Sequence, residues 1–183
     1  MALVSDKNMN SILALTLKEA ELIVKDFDRS EKQDETGPEY YNSFGVYNVK
    51  QSLEYVPRLT YYVQKKYPWP LKFANSYTRS YHSKSFLALH VDRKELDVTV
   101  SVCLENKHNY SWPLHISSCA YAGEDLYNET VKQKYMAANY SSIDFNKTGY
   151  CALLEGKIFP HWRDQLSCKK SHRIIYVYYH WSI

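Results

Sequence analysis

Apolar and polar positions change their period once along this chain, near residue 71. Before that point the spacing is helical. From Thr16 to Phe27, the apolar residues Leu17, Ala20, Ile23, Val24 and Phe27 recur every three or four positions. Thr16 stands where an N-cap belongs, and Glu19 three residues later completes a capping box. The polar stretch 28–38, with Gly37-Pro38, reads as a loop. A second helix is expected over about Gln51 to Lys66, burying Leu53, Val56, Leu59, Tyr62 and Val63 and bent at Pro57, and Pro68-Trp69-Pro70 ends it. From Leu71 the period becomes two. Phe73, Asn75, Tyr77, Arg79 and Tyr81 share one strand face, and Leu87, Leu89 and Val91 lie opposite His90 and Asp92. Val98 to Leu104, Trp112 to Ile116, Cys151 to Leu154, Lys157 to His161 and Arg173 to His180 read as further strands. Residues 124–148 show no clear period and are expected to form an insertion over the sheet, placed to serve as a substrate loop. The pattern predicts a single domain, 1–183, mainly β with flanking α-helices. Residues 1–70 form a helical support region and 71–183 a β core.

The chemistry gathers at His90-Val91-Asp92. Side chains two apart on an extended strand point to the same face, so this imidazole and carboxylate can converge on one metal ion. A third ligand must come from elsewhere, and His161 in Phe159-Pro160-His161-Trp162-Arg163 is the candidate. Two histidines and one carboxylate on one face of an ion, with the other face open, is the arrangement of non-haem Fe(II) oxygenases.

Composition narrows the picture without redirecting it. Hydrophobic residues make up 45% of 183 residues and there are only five glycines, which favours a folded domain with a substantial core. A net charge of +3 is too small to suggest a nucleic-acid binder. Eighteen tyrosines suit half-buried strand faces. Cys103, Cys119, Cys151 and Cys168 form no Cys-x-x-Cys pair and read as reduced thiols. The first residues carry no apolar run long enough for a secretion signal or a membrane span, so a cytoplasmic location is expected. On that basis the Asn-x-Ser/Thr triplets at Asn109, Asn128, Asn139 and Asn146 read as coincidence.

Together, the segments Asn75 to Leu104, Gly149 to Arg163 and Arg173 to Trp181 resemble the Fe(II)/2-oxoglutarate-dependent dioxygenases, prolyl 4-hydroxylase-like branch. That family reads His-x-Asp, a distal His, then a basic residue opening the last core strand; here these are His90, Asp92, His161 and Arg173. The resemblance implies a double-stranded β-helix, a jelly-roll-like, cupin-type core, buttressed by the two helices. It also implies Fe(II) held by His90, Asp92 and His161, with 2-oxoglutarate and O2 as cosubstrates and ascorbate as reductant.

In the family, the basic residue grips the distal carboxylate of 2-oxoglutarate. A guanidinium suits that task because its planar fork matches a carboxylate. Arg173 takes the role here, with Arg163 as competitor, since Arg163 shares the strand face of His161. Tyr81, nine positions before His90, resembles the tyrosine that donates to the cosubstrate, and Tyr77 is the fallback. The implied reaction hydroxylates an unactivated C–H bond and releases succinate and CO2. A prolyl residue or proline-like amino acid in a peptide, protein or free form leads as substrate, with Trp112, Trp162 and Arg163 as candidate substrate contacts. Nucleic acid is disfavoured because the residues after Arg173 bring no second arginine. Two other readings stand beside this one: a non-catalytic jelly-roll module binding peptide or carbohydrate, and a cupin-like enzyme that uses the metal without 2-oxoglutarate.

Overall fold

The structure is a computed structural model and describes residues 13–32 and 42–183; part of the loop expected over 28–38 lies outside them. Helix α1 (Leu17–Arg29) begins at the expected capping box. The Glu19 amide donates to Thr16 Oγ1 at 3.3 Å, and the Thr16 amide donates to Glu19 Oε2 at 2.8 Å. Ala20, Ile23, Val24 and Phe27 are buried, whereas Leu17 is exposed. Fully burying a side chain such as Phe27 contributes about 2 kcal/mol.

The helix expected over Gln51 to Lys66 is instead two: α2 (Lys50–Leu53) and α3 (Val56–Gln64). Pro57 falls in the first turn of α3, where a missing N–H costs nothing and the fixed φ suits a helix start. It begins a helix rather than bending one. Glu19 of α1 accepts from both terminal nitrogens of Arg58 on α3, at 2.8 and 2.9 Å, tying the helical layer together.

Among the described residues, nine strands form two antiparallel sheets: β1 (Ser43–Tyr47), β2 (Lys72–His82), β3 (Leu87–His90), β4 (Val98–Glu105), β5 (Leu114–Ser117), β6 (Tyr140–Ile143), β7 (Cys151–Leu154), β8 (His161–Arg163) and β9 (Arg173–Ser182). One sheet runs β1-β2-β9-β4-β7 and the other β3-β8-β5-β6. Apart from the added edge strand β1 and the β5–β6 pair within the smaller sheet, successive strands alternate between the sheets in the manner of a double-stranded β-helix. The five-stranded sheet is buried on both faces. Val98, Val100, Val102, Ile175, Val177, Tyr179 and Trp181 pack under the helices. Cys103, Ala152, Leu154, Ile174 and Tyr176 face the other sheet.

The stretch 124–148 is more ordered than its sequence suggests. It holds α4 (Glu129–Ala137), capped by Asn128 Oδ1, and β6, the edge strand of the smaller sheet. Tyr135, Val131 and Met136 cover the outer face of that sheet against Leu89 and Trp162. Among the described residues no helix is long and apolar enough to cross a membrane.

Candidate metal centre

His90 ends β3 and His161 opens β8, two neighbouring strands of the smaller sheet, where they are register partners. Their rings lie 4.2 Å apart, centroid to centroid. Asp92 is past the end of β3, and its amide donates to the Gly156 carbonyl at 2.9 Å, in the turn before β8. Local bonds aim the imidazoles. His90 Nδ1 lies 2.8 Å from the Ala88 carbonyl, and His161 Nδ1 lies 3.0 Å from the Phe159 carbonyl. A carbonyl only accepts, so each Nδ1 carries the proton and each Nε2 presents its lone pair. Those two Nε2 atoms stand 3.8 and 3.7 Å from Asp92 Oδ1. One ligand atom from each residue lies within 4.8 Å of the others, and among the described residues no other group of three or more such donors gathers this way.

The alternation expected along β3 breaks. A register shift between Leu87 and His90 leaves both residues on the cavity side, while Leu89 packs into the outer cluster under α4. Val91 also lines the cavity instead of facing away. A bulge of this kind re-aims a side chain, and here it turns His90 inward.

Electrostatics favour a cation at this point. Burial alone would raise the Asp92 carboxyl, but the imidazoles of His161 and His90 and a hydrogen bond from Thr99 hold it below the usual carboxylate range. His161 is fully buried, and burial together with the neighbouring His90 pushes it down to about 4. It is therefore neutral, as a metal ligand must be.

Beside the triad opens a cavity whose wall includes Tyr47, Tyr77, Arg79, Tyr81, Tyr178 and His180. The Tyr81 and Tyr178 hydroxyls meet at 2.7 Å on that wall. Tyr77 lies between Tyr47 and Tyr178, with ring centroids 4.6 and 6.5 Å away, so an aromatic surface runs outward to the exposed Tyr47. Tyr81 and the fallback Tyr77 thus both line the cavity, with Tyr77 nearer the exposed Tyr47.

Arg173 is turned the other way. It shares a face of β9 with Ile175 and Val177 and so points towards the helices. There its Nε donates to Glu105 at 2.8 Å, and its two terminal nitrogens grip Asp28 of α1 at 2.7 and 2.8 Å. Arg163 points inward from β8 and is 1% exposed. Its guanidinium is caged by Tyr176, Trp112 and Phe145, at 4.3, 4.8 and 4.9 Å from the ring centroids. Nη1 donates to the Trp112 carbonyl, whereas Nε and Nη2 have no hydrogen-bond partner. They are the only such buried side-chain nitrogens among the described residues. Trp112 belongs to this interior cage and does not line the cavity mouth. Trp162 faces outward, packed on His115 and Tyr140, so it does not contact anything held at the metal.

Three contributors were not identified from the sequence: Thr99, His180 and Gly156. Thr99 alternates with the core valines of β4, and Tyr178 and His180 with Val177, Tyr179 and Trp181 of β9. Alternation therefore marked their common faces but not which face turns to the cavity.

No family model and no curated protein matches the chain. Solved structures do resemble it in fold. HygX from Streptomyces hygroscopicus, with nickel, 2-oxoglutarate and hygromycin B bound, superposes with a TM-score of 0.69 at 15% identity, over 92% of this chain and 80% of that one. A Pseudomonas putida prolyl-4-hydroxylase gives 0.60 at 10% identity, over 100% and 90%. The viral collagen prolyl hydroxylase of Paramecium Bursaria Chlorella virus-1, in its 2-oxoglutarate complex, gives 0.57 at 12% identity, over 92% and 91%. The fold is the double-stranded β-helix of the Fe(II)/2-oxoglutarate oxygenases, prolyl hydroxylases among them.

Proposed function

We propose that this protein is an Fe(II)- and 2-oxoglutarate-dependent oxygenase that hydroxylates an unactivated C–H bond. One observation carries the reading: the convergence of His90 Nε2, Asp92 Oδ1 and His161 Nε2 beside a cavity, with every other polar atom of those side chains already engaged. Two neutral nitrogens and one carboxylate oxygen from one side fit Fe(II) and leave its other side open. Bound iron, with 2-oxoglutarate and O2, supplies the oxidising chemistry, releasing succinate and CO2 as the hydroxyl group enters the substrate.

The chain's own residues do the rest. Ala88 and Phe159 hold the two imidazoles in the ligating tautomer. The Tyr81 and Tyr178 hydroxyls offer hydrogen bonds to the distal carboxylate of 2-oxoglutarate, and the Arg163 guanidinium, held in the interior cage with Trp112 and Tyr176 rather than in the cavity lining, supplies the positive charge from within. Two unmade hydrogen bonds on a buried cation fit an anionic ligand, because leaving such donors unpaired is costly. Arg163 therefore takes the part that the family gives to a basic residue on the last strand. The aromatic surface of Tyr47, Tyr77 and Tyr178 suits a compact, apolar ring and supports a prolyl residue or proline-like amino acid as substrate. Two of the structural neighbours are prolyl hydroxylases, which agrees with that choice.

The test is succinate formation from 2-oxoglutarate in air with Fe(II) and ascorbate, with and without proline-containing peptides, beside Asp92→Ala. Succinate that vanishes in the variant, and rises with peptide, is the expected result. No succinate from iron-loaded wild type would overturn the oxygenase reading. Turnover indifferent to every proline-containing peptide and to proline would overturn the substrate alone.

A further inference from the structure

Asp92 has two carboxylate oxygens, and the fold treats them differently. Oδ1 faces the two Nε2 atoms, at 3.8 and 3.7 Å. Oδ2 faces the opposite sheet, where Thr99 Oγ1 donates to it at 2.6 Å. Thr99 lies in β4, is 3% exposed, and is paired across the sheet with His180 and Leu154. It cannot follow the carboxylate if the carboxylate turns. On its remaining side the group rests on the backbone of Gly156. A Cβ there would fall 2.5 Å from Asp92 Cγ and closer still to Oδ2, so no larger residue fits beside the carboxylate as it stands. The amide of Asp92 and the carbonyl of Gly156 are joined at 2.9 Å, which fixes this contact.

We infer that Thr99 is a positioning residue that restricts Asp92 to a single metal-binding oxygen, with the bare backbone of Gly156 leaving the room in which the carboxylate stands. The inference rests on the metal reading above. Its consequence concerns vacancy rather than affinity. A carboxylate can hold a cation through one oxygen or through both. Released, Oδ2 would be free to turn towards a bound metal and compete with the cosubstrate's oxygens for it. Thr99 thereby keeps the coordination sphere open from the far sheet without touching the metal.

Thr99→Val removes the hydroxyl at nearly constant shape, and Thr99→Ser keeps it. Co(II) serves as the probe, followed by its visible absorption, with 2-oxoglutarate then titrated calorimetrically into the Co(II)-loaded protein. Wild type and Thr99→Ser should bind Co(II) and then 2-oxoglutarate alike. Thr99→Val should bind Co(II) within about threefold of wild type, show a changed absorption band, and lose at least about tenfold in 2-oxoglutarate affinity. Gly156→Ala, which displaces the whole carboxylate, should instead weaken Co(II) itself. A Thr99→Val protein with wild-type spectrum and wild-type 2-oxoglutarate affinity overturns the inference, and so does one that no longer binds Co(II). If Thr99→Val does not fold, Thr99→Ala replaces it with the same expectations. Wild-type protein that fails to bind Co(II) is a different result, since it removes the metal site rather than the role of Thr99.

Discussion

Replacing Arg163 and Arg173 by methionine, one at a time, should have opposite effects. Arg163 is buried with Nε and Nη2 unbonded. Each unmet buried donor costs about 1–3 kcal/mol, and an apolar residue of similar length in place of a buried charge is often neutral or stabilising by about 1–4 kcal/mol. The loss of its bond to the Trp112 carbonyl and its contacts with three rings offsets part of that gain. Arg163→Met should therefore melt no lower than wild type. Its cost falls on the ligand. Losing a cation that acts on a bound carboxylate costs about 1.5–3 kcal/mol, which corresponds to about 10- to 100-fold in affinity. Arg173→Met breaks the pair with the partly exposed Asp28 and the pair with the buried Glu105, which keeps Lys107 at 3.0 Å, so at least about 1 kcal/mol is lost. That is about 2–4 °C in melting temperature for a chain of this size. Its 2-oxoglutarate affinity should stay within about threefold. The assay is calorimetric titration of 2-oxoglutarate into Ni(II)-loaded protein, with a thermal melt of each variant. Wild-type affinity in Arg163→Met, or a loss of affinity in Arg173→Met, would refute the assignment of the anchor to Arg163.

Three further expectations concern the frame. Gly149 has φ of +86°, and a Cβ on it would fall 2.8 Å from Leu13 Cδ1. Gly149→Ala should cost at least about 1–2 kcal/mol, lowering the melting temperature by at least about 3 °C; an unchanged melt would contradict the left-handed turn. Glu19 is held down to about 2, chiefly by the Arg58 guanidinium. A depressed carboxyl contributes stability above its unfolded value of 4.5 and loses it as pH falls through about 2, so urea melts of wild type and Glu19→Gln should differ at about pH 6 and converge near pH 2. With Arg58 substantially exposed, the difference stays below about 1 kcal/mol. Burial pushes the Cys103 and Cys151 thiols up to about 12, whereas Cys119 is exposed. A thiol reagent on the native protein should modify Cys119 and reach Cys103 and Cys151 only after unfolding; early labelling of Cys103 would contradict the closed interior.

The sequence by itself determined whatever depends on neighbours a few positions apart. Thr16 and Glu19 are close enough along the chain to cap α1 wherever the helix docks. The alternation Asn75, Tyr77, Arg79, Tyr81 sets a strand face before the sheet exists, but a bulge after Phe73 turns that residue to the helix side, against the shared face its spacing predicts. The ligand set His90, Asp92 and His161 was legible for a related reason: each residue sits in a short, distinctive context, and the structure brings all three together.

What the sequence left open is which face is which, and what stands across from it. In Arg173-Ile174-Ile175-Tyr176-Val177-Tyr178 both faces are apolar, so period two leaves two equivalent choices of face. Packing under α1 sends Arg173 to Asp28, 145 positions away, and gives the cavity to Tyr178. The register shift in β3 that turns His90 and Leu87 to the same side leaves no local mark, since it is a mismatch between two strands. Pro57 read alone is a helix breaker, and it became a helix start only because the chain turns at Tyr55. Thr99 and Gly156 reach Asp92 from seven and 64 positions away, across two sheets and a turn. Short-range spacing fixed which atoms could bind a metal; only the closing of one sheet over the other decided how those atoms are held and what lies open beside them.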